Sequence, residues 1–182
     1  PIIVHTYHGH VLCGYFPPGK ERWFIQVERW LARLTTTLIA VSESVRAELL
    51  ALGIGRRAQY AVIPLGVDVE PYLRCEALRG TLRRELGLDD SHPLIGIVAR
   101  MVPIKRHEDF LQAARQVAAQ IPKARFLLVG DGEARTTLER LAQEQGLASR
   151  VQFLGWRRDL DRIYADCDVV TLTSGNEGSP VS

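Results

Sequence analysis

Four short stretches carry side chains able to do chemistry. "HTYHGH" (5–10) sets three imidazoles at the end of an apolar run. No carboxylate accompanies them, so a metal site is disfavoured. His5 alternates within the run and reads as a packing residue. His8 and His10 sit at its exit, where either can hydrogen-bond a polar ligand. "VARMVPIKRHEDFL" (98–111) passes from an apolar strand through a loop into an amphipathic helix, with Arg100 and Lys105 between them. An arginine grips two phosphate oxygens, a lysine adds a mobile point charge, and a helix N-terminus favours anions. A diphosphate satisfies that arrangement; two solvated charges are the competing reading. "LLVGDGEARTTLERL" (127–141) has Gly130 and Gly132 in a turn before a helix. It lacks the GxGxxG spacing, so the glycines read as permitting a tight turn close to a ligand. "GNEGSP" (175–180) offers backbone N–H groups and one carboxylate, Glu177, suited to bidentate hydrogen bonding of sugar hydroxyls.

Two DxD spacings, Asp159-Leu160-Asp161 and Asp166-Cys167-Asp168, invite a metal reading. The first lies where a helix starts and is expected to cap it. The second joins a helix end to a strand. Both are expected to be structural, with no metal.

These stretches need a scaffold. The 182 residues are 46% hydrophobic and 24% charged, enough for one sizeable core or two small ones. A net charge of +2, with arginine pairs dispersed at 56–57, 83–84 and 157–158, gives nucleic acid no footprint. Cys13, Cys75 and Cys167 are scattered and odd in number, which argues against a disulfide framework or zinc knuckle and fits a reducing cytoplasm. No apolar run approaches the ~20 residues of a membrane span, and no signal peptide is legible. The chain starts on Pro1 at an apolar run and stops on a loop, so both ends read as cut.

Strands are expected at 1–6, 37–41, 60–64, 94–99, 125–130, 151–155 and 168–173, rich in Val, Ile and Leu as in a parallel sheet buried on both faces. Ser42 should cap a helix ending at Gly53. Phe110, Leu111, Ala114, Val117, Ala118 and Ile121 mark the apolar face of another, stopped by Pro122, and a third spans about 133–145. A charged helix is expected over "EALRGTLRRELGL" (76–88). Trp23, Val27, Trp30, Leu31 and Leu34 form a stripe on a helix with Lys20, Arg22, Arg29 and Arg33. Packing on the sheet is the expected role, membrane-surface contact the alternative. Alternating strands and helices predict an α/β doubly wound fold, with a boundary near 66–74.

Taken in order, "VHTYHGH", "AVSESV", "VIPLGVD", "VARMVPIKRHEDFL", "LLVGDGEARTTLERL", "VQFLGW" and "VTLTSGNEGSPVS" resemble the retaining glycosyltransferases of family 4, or group 1. The resemblance covers nearly the whole chain and implies the GT-B fold, two Rossmann-like domains facing a cleft. Residues 1–70 would be the end of the acceptor-side domain, and 71–182 the start of the nucleotide-sugar domain. Arg100 and Lys105 then hold the donor diphosphate. Glu177 is the first glutamate of E-x7-E and contacts the donor sugar. Gly178, Ser179 and Pro180 form the loop beside sugar and phosphate. His8, or alternatively His10, is the histidine near the donor sugar.

The implied reaction moves a sugar from a nucleotide diphosphate to an acceptor hydroxyl of a glycan or lipid-linked molecule. Configuration is retained, the donor phosphate helps deprotonate the acceptor, and no metal or cofactor takes part. Peripheral contact with the inner face of the membrane is compatible with it. The second glutamate would fall beyond Ser182, so the chain alone is expected to be inactive. A GT-B sugar-nucleotide epimerase and a non-catalytic binding module are the competing functions.

Overall fold

A computed structural model describes residues 1–9, 12, 16–177 and 180–182. The chain divides into two compact units: Pro1–Val67 with Glu177–Val181, and Asp68–Asn176 with Ser182.

The first unit has a three-stranded parallel sheet, ordered β1 (Val4–Tyr7), β2 (Thr37–Ala40), β3 (Tyr60–Val62). Helix α1 (Pro18–Leu34) connects the first two strands and α2 (Glu43–Ala51) the next two. Ser42 caps α2 as expected, its hydroxyl accepting from the Val45 N–H at 3.3 Å. Leu38, Ala40, Val45, Leu49 and Ile54 form the core.

Packing on the sheet is not what the α1 stripe does. Trp23, Trp30 and Leu34 are more than half exposed. Ala32 is buried, Phe24 and Ile25 pack on the core, and the part-buried Glu28 accepts a 2.7 Å hydrogen bond from the Tyr7 hydroxyl. The helix is therefore turned so that positions 24, 28 and 32 face inward, one helical step away from the tryptophans. Phe24, Ile25 and Ala32 pack inward, and the polar bonds of Glu28 to Tyr7 and of Arg29 to the Leu52 carbonyl hold the same orientation.

The second unit is a four-stranded parallel sheet, ordered β6 (Val151–Gly155), β5 (Arg125–Val129), β4 (Leu94–Val98), β7 (Val169–Thr171). Phe126 and Leu128 face α4 (His107–Gln120) and α5 (Arg135–Glu144) in one core. Leu127 and Val129 point to the other, with Leu82 and Ile163 from α3 (Thr81–Glu85) and α6 (Leu160–Asp166). Alternation along one strand thus builds a core on each face. Burial on both faces holds for β5 but not for the sheet edges: Val169 and Val170 of β7 and Val4 of β1 are exposed. Ile121 is exposed too, because α4 ends at Gln120.

The charged helix expected over 76–88 is broken. A 3-10 turn at Cys75–Leu78 gives way at Gly80, φ 83°, to the five-residue α3. Asp166, wholly buried, causes the break. Its carboxylate accepts the N–H groups of Gly80, Leu82 (2.7 Å) and Arg83 (3.0 Å), satisfying the start of α3. The buried Arg83 guanidinium donates to Asp168 Oδ2 at 2.7 Å and to the carbonyls of Asp166, Asp89 and His92. Burial pushes the Asp168 carboxyl up, but hydrogen bonds from the Leu94 N–H, Arg83 and Arg79 outweigh it and leave it lowered. Asp166 and Asp168 are thus structural, as the sequence suggests. Asp159 precedes α6 without capping it; its carboxylate pairs with Arg157 and Arg162, both of which also bind Glu85.

Candidate functional site

The strand order of the second unit reverses between β4 and β7. From β4 the chain adds β5 and β6 on one side, then returns to place β7 on the other. In open parallel sheets such a switch point leaves a crevice at the carboxyl ends of the two strands. The loop with Arg100 and Lys105 leaves β4 there, and residues 172–176 leave β7.

The Arg100 loop is held by backbone contacts. Met101 is fully buried; its N–H donates to the Asp131 carbonyl at 2.9 Å and its carbonyl accepts from the Ala134 N–H at 3.0 Å. A Cβ on Gly130 would stand 2.1 Å from the Ala99 oxygen, and one on Gly132 2.4 Å from the Met101 oxygen. Both glycines therefore have a packing cause: the loop after β5 touches the loop after β4 backbone to backbone. Arg100 is exposed and, among the described residues, its side chain has no hydrogen-bonding or ionic partner.

Lys105 ends a 3-10 turn, Pro103–Lys105, and is half-buried. Arg106 follows in the left-handed region, φ 50°, and ion-pairs with Asp109 at 2.6 Å. The first turn of α4 contains Glu108 and Asp109, so the helix's own carboxylates complement part of its dipole. The positive charge of the loop therefore comes from its cations more than from that helix end.

His107 has no part in the sequence reading. It is 1% exposed, and neither ring nitrogen makes a hydrogen bond of ordinary geometry, although the ring lies by the Ala99 backbone. Burial first, and the nearby Lys105 charge to a smaller degree, hold its pKa below the ordinary value, against the pull of Glu108. Its ring sits beneath the loop, where the neutral form is favoured. The sequence signal was available: with Phe110, Leu111, Ala114 and Ala118, His107 completes the buried stripe of α4.

In the first unit, His8 is exposed directly after β1, while the half-buried His5 stacks on the Tyr7 ring with centroids 4.3 Å apart. Glu177 is half-buried and Pro180 exposed; both group with the first unit. His10, Gly178 and Ser179 lie outside the described residues. Arg100, Lys105, Gly130 and Gly132 are brought together on adjoining loops of the second unit. Among the described residues no group of three or more His, Cys, Asp or Glu side chains could hold a metal ion.

Two parallel-stranded α/β units are what a GT-B glycosyltransferase fold is built from, and the solved structures that the chain matches have that fold. The chain superimposes with a TM-score of 0.79 and 28% identity on the crystal structure of Anabaena Alr3699/HepE in complex with UDP-glucose, over 95% of this chain and 47% of that one. Residues 79–182 match the family described as Glycosyl transferases group 1, and residues 1–71 match Glycosyltransferase Family 4. The chain belongs to the group 1 glycosyl transferases.

It is 32% identical, over its whole length and 48% of the relative's, to the UDP-Gal:alpha-D-GlcNAc-diphosphoundecaprenol alpha-1,3-galactosyltransferase of Escherichia coli. It is 27% identical to the GDP-mannose-dependent monoacylated alpha-(1-6)-phosphatidylinositol monomannoside mannosyltransferase of Corynebacterium glutamicum, over 97% of this chain and 45% of that one. The chain spans about half the length of the curated relatives it matches.

Proposed function

We propose that this chain is part of a glycosyltransferase that takes a sugar from a nucleotide-diphosphate donor, retains its configuration and passes it to a hydroxyl of a glycan or lipid-linked acceptor. The observation that carries the reading is the pair of cations, Arg100 and Lys105, on the loop leaving β4 at the switch point of the second unit. A departing nucleoside diphosphate gathers negative charge, and fixed cations stabilise that charge better than water does. Two fixed cations can supply the charge that a divalent ion supplies elsewhere, which supports a reaction without a metal. Residues 1–70 then belong to an acceptor-side domain and 71–182 to the donor domain.

Glu177 and the Gly178–Ser179–Pro180 segment address the donor sugar by hydrogen bonding, with His8 or His10 as a second polar contact. Gly130 and Gly132 act near the nucleotide through the loop they support. Relatives named for UDP-Gal and GDP-mannose support a sugar-nucleotide donor. The exposed Trp23, Trp30 and Leu34, on a helix with Lys20, Arg22 and Arg33, suit contact with a lipid surface presenting the acceptor.

The test is a transfer assay on the full-length protein with UDP- and GDP-linked sugars and a diphospholipid acceptor, reading the anomeric configuration of the product. Retained configuration in the presence of a chelator is expected. Inversion, a strict metal requirement, or donor consumption that yields only an epimer would overturn the reading. The 182-residue chain assayed alone should show no turnover.

A further inference from the structure

Arg106 is the one described residue other than glycine with a positive φ, and a non-glycine side chain pays about 1–2 kcal/mol for that conformation. It separates the 3-10 turn at Pro103–Lys105 from α4. The carbonyls of Ile104 and Lys105 accept bonds from the loop that leaves β7. The Thr173 hydroxyl donates to the Lys105 oxygen at 2.8 Å, and the Gly175 N–H donates to the Ile104 oxygen at 2.9 Å. A Cβ on Gly175 would lie 3.3 Å from Arg106 Cδ, a close contact that the exposed arginine side chain can relieve by shifting. Two adjacent carbonyls of the cationic turn are thus tied to the neighbouring loop across the switch point.

We infer that Thr173 is a positioning residue: its hydroxyl, together with the Gly175 N–H, fixes the backbone of the Lys105 turn so that the lysine is preorganised for a nucleoside diphosphate. Thr173 itself touches no ligand. The inference rests on Lys105 holding a diphosphate, as proposed above. A turn fixed on both sides loses less freedom when its lysine binds, and that saving appears as affinity. The β7 exit loop supplies one of those sides, and the Met101 and Gly132 contacts with the β5 exit loop supply the other.

The test is calorimetric binding of UDP and GDP to the full-length protein, its Thr173→Val, Thr173→Ser and Lys105→Ala variants, and the Lys105→Ala/Thr173→Val double variant. Removing one neutral hydrogen bond should weaken binding roughly fivefold in Thr173→Val. Thr173→Ser, which keeps the hydroxyl, should restore it. In the Lys105→Ala background the valine should cost nothing further, because Thr173 acts through that lysine. A merely structural threonine would weaken binding in both backgrounds or in neither, and either result overturns the inference. Wild-type protein that binds neither nucleotide overturns the diphosphate reading and this inference with it. Wild-type binding left unchanged by Thr173→Val overturns this inference alone.

Discussion

The second unit contains two clusters of charge at opposite ends of its sheet, and they are built in opposite ways. At the amino end of β4, Arg83 is buried against Asp166 and Asp168, and its guanidinium also donates to three backbone carbonyls. At the carboxyl end of the same strand, Arg100 is exposed and its backbone, not its side chain, is what the fold holds. The first cluster uses its charges on itself, because a buried charge must be paired. The second spends main-chain hydrogen bonds and two glycine contacts on presenting charge outward. A rigid backbone under an exposed cation is what a binding site requires, and a closed ion-pair network is what a structural joint requires.

Breaking the two ends should therefore give different losses. Asp166→Ala leaves Arg83 buried without its carboxylate and orphans the N–H groups of Leu82 and Arg83. We expect about 3–5 kcal/mol of lost stability by denaturant unfolding, with the second unit the first to open. Gly130→Ala, at the seam between the β4 and β5 loops, forces a Cβ against the Ala99 oxygen. It should cost about 1–3 kcal/mol and weaken diphosphate binding at the same time, which a melting curve and a titration measure together. Arg100→Ala should change melting little, and Arg100→Ala and Lys105→Ala should each weaken nucleoside diphosphate binding about 10- to 100-fold, as expected for charge-assisted hydrogen bonds. Thr173→Val should be milder, at the fivefold level.

The smallest effect is in pH. His107 is held neutral in the folded protein below its ordinary value of 6.5, whereas the unfolded chain takes up a proton near there. Below that pH the unfolded state binds the extra proton, so stability falls as acidity rises, by at most about 1.4 kcal/mol per pH unit. This contribution is intact above the unfolded value and is lost as pH drops toward the folded one. His107→Leu should flatten that part of the profile, read from urea unfolding at about pH 5 and pH 7.

The apolar strands and the α4 stripe were legible because burial on a sheet leaves a periodic record. The Arg100–Lys105 loop was legible because cations between a strand and a helix have few packing reasons to be there. What sequence periodicity missed depended on partners distant in the chain. The break at Gly80 is made by Asp166, 86 residues away. The rotation of α1 is held in part by bonds to distant partners, Glu28 to Tyr7 and Arg29 to the Leu52 carbonyl, and it leaves the tryptophans exposed. The failed cap at Asp159 reflects competition from Arg157 and Arg162, which give its carboxylate stronger partners than a helix N–H. The tie between Thr173 and Lys105 joins two loops 68 residues apart and leaves no mark in either stretch alone.

On the proposed function, Arg100 and Lys105 receive a diphosphate without a metal. That reading is tested most directly by calorimetric titration of UDP and GDP into the full-length protein and into its Arg100→Ala/Lys105→Ala variant, with a chelator present throughout. At least one nucleotide should bind the wild type under these conditions, and the double variant, still unfolding cooperatively, should bind neither. Equal binding by the double variant, or wild-type binding that appears only when a divalent ion is restored, would contradict it.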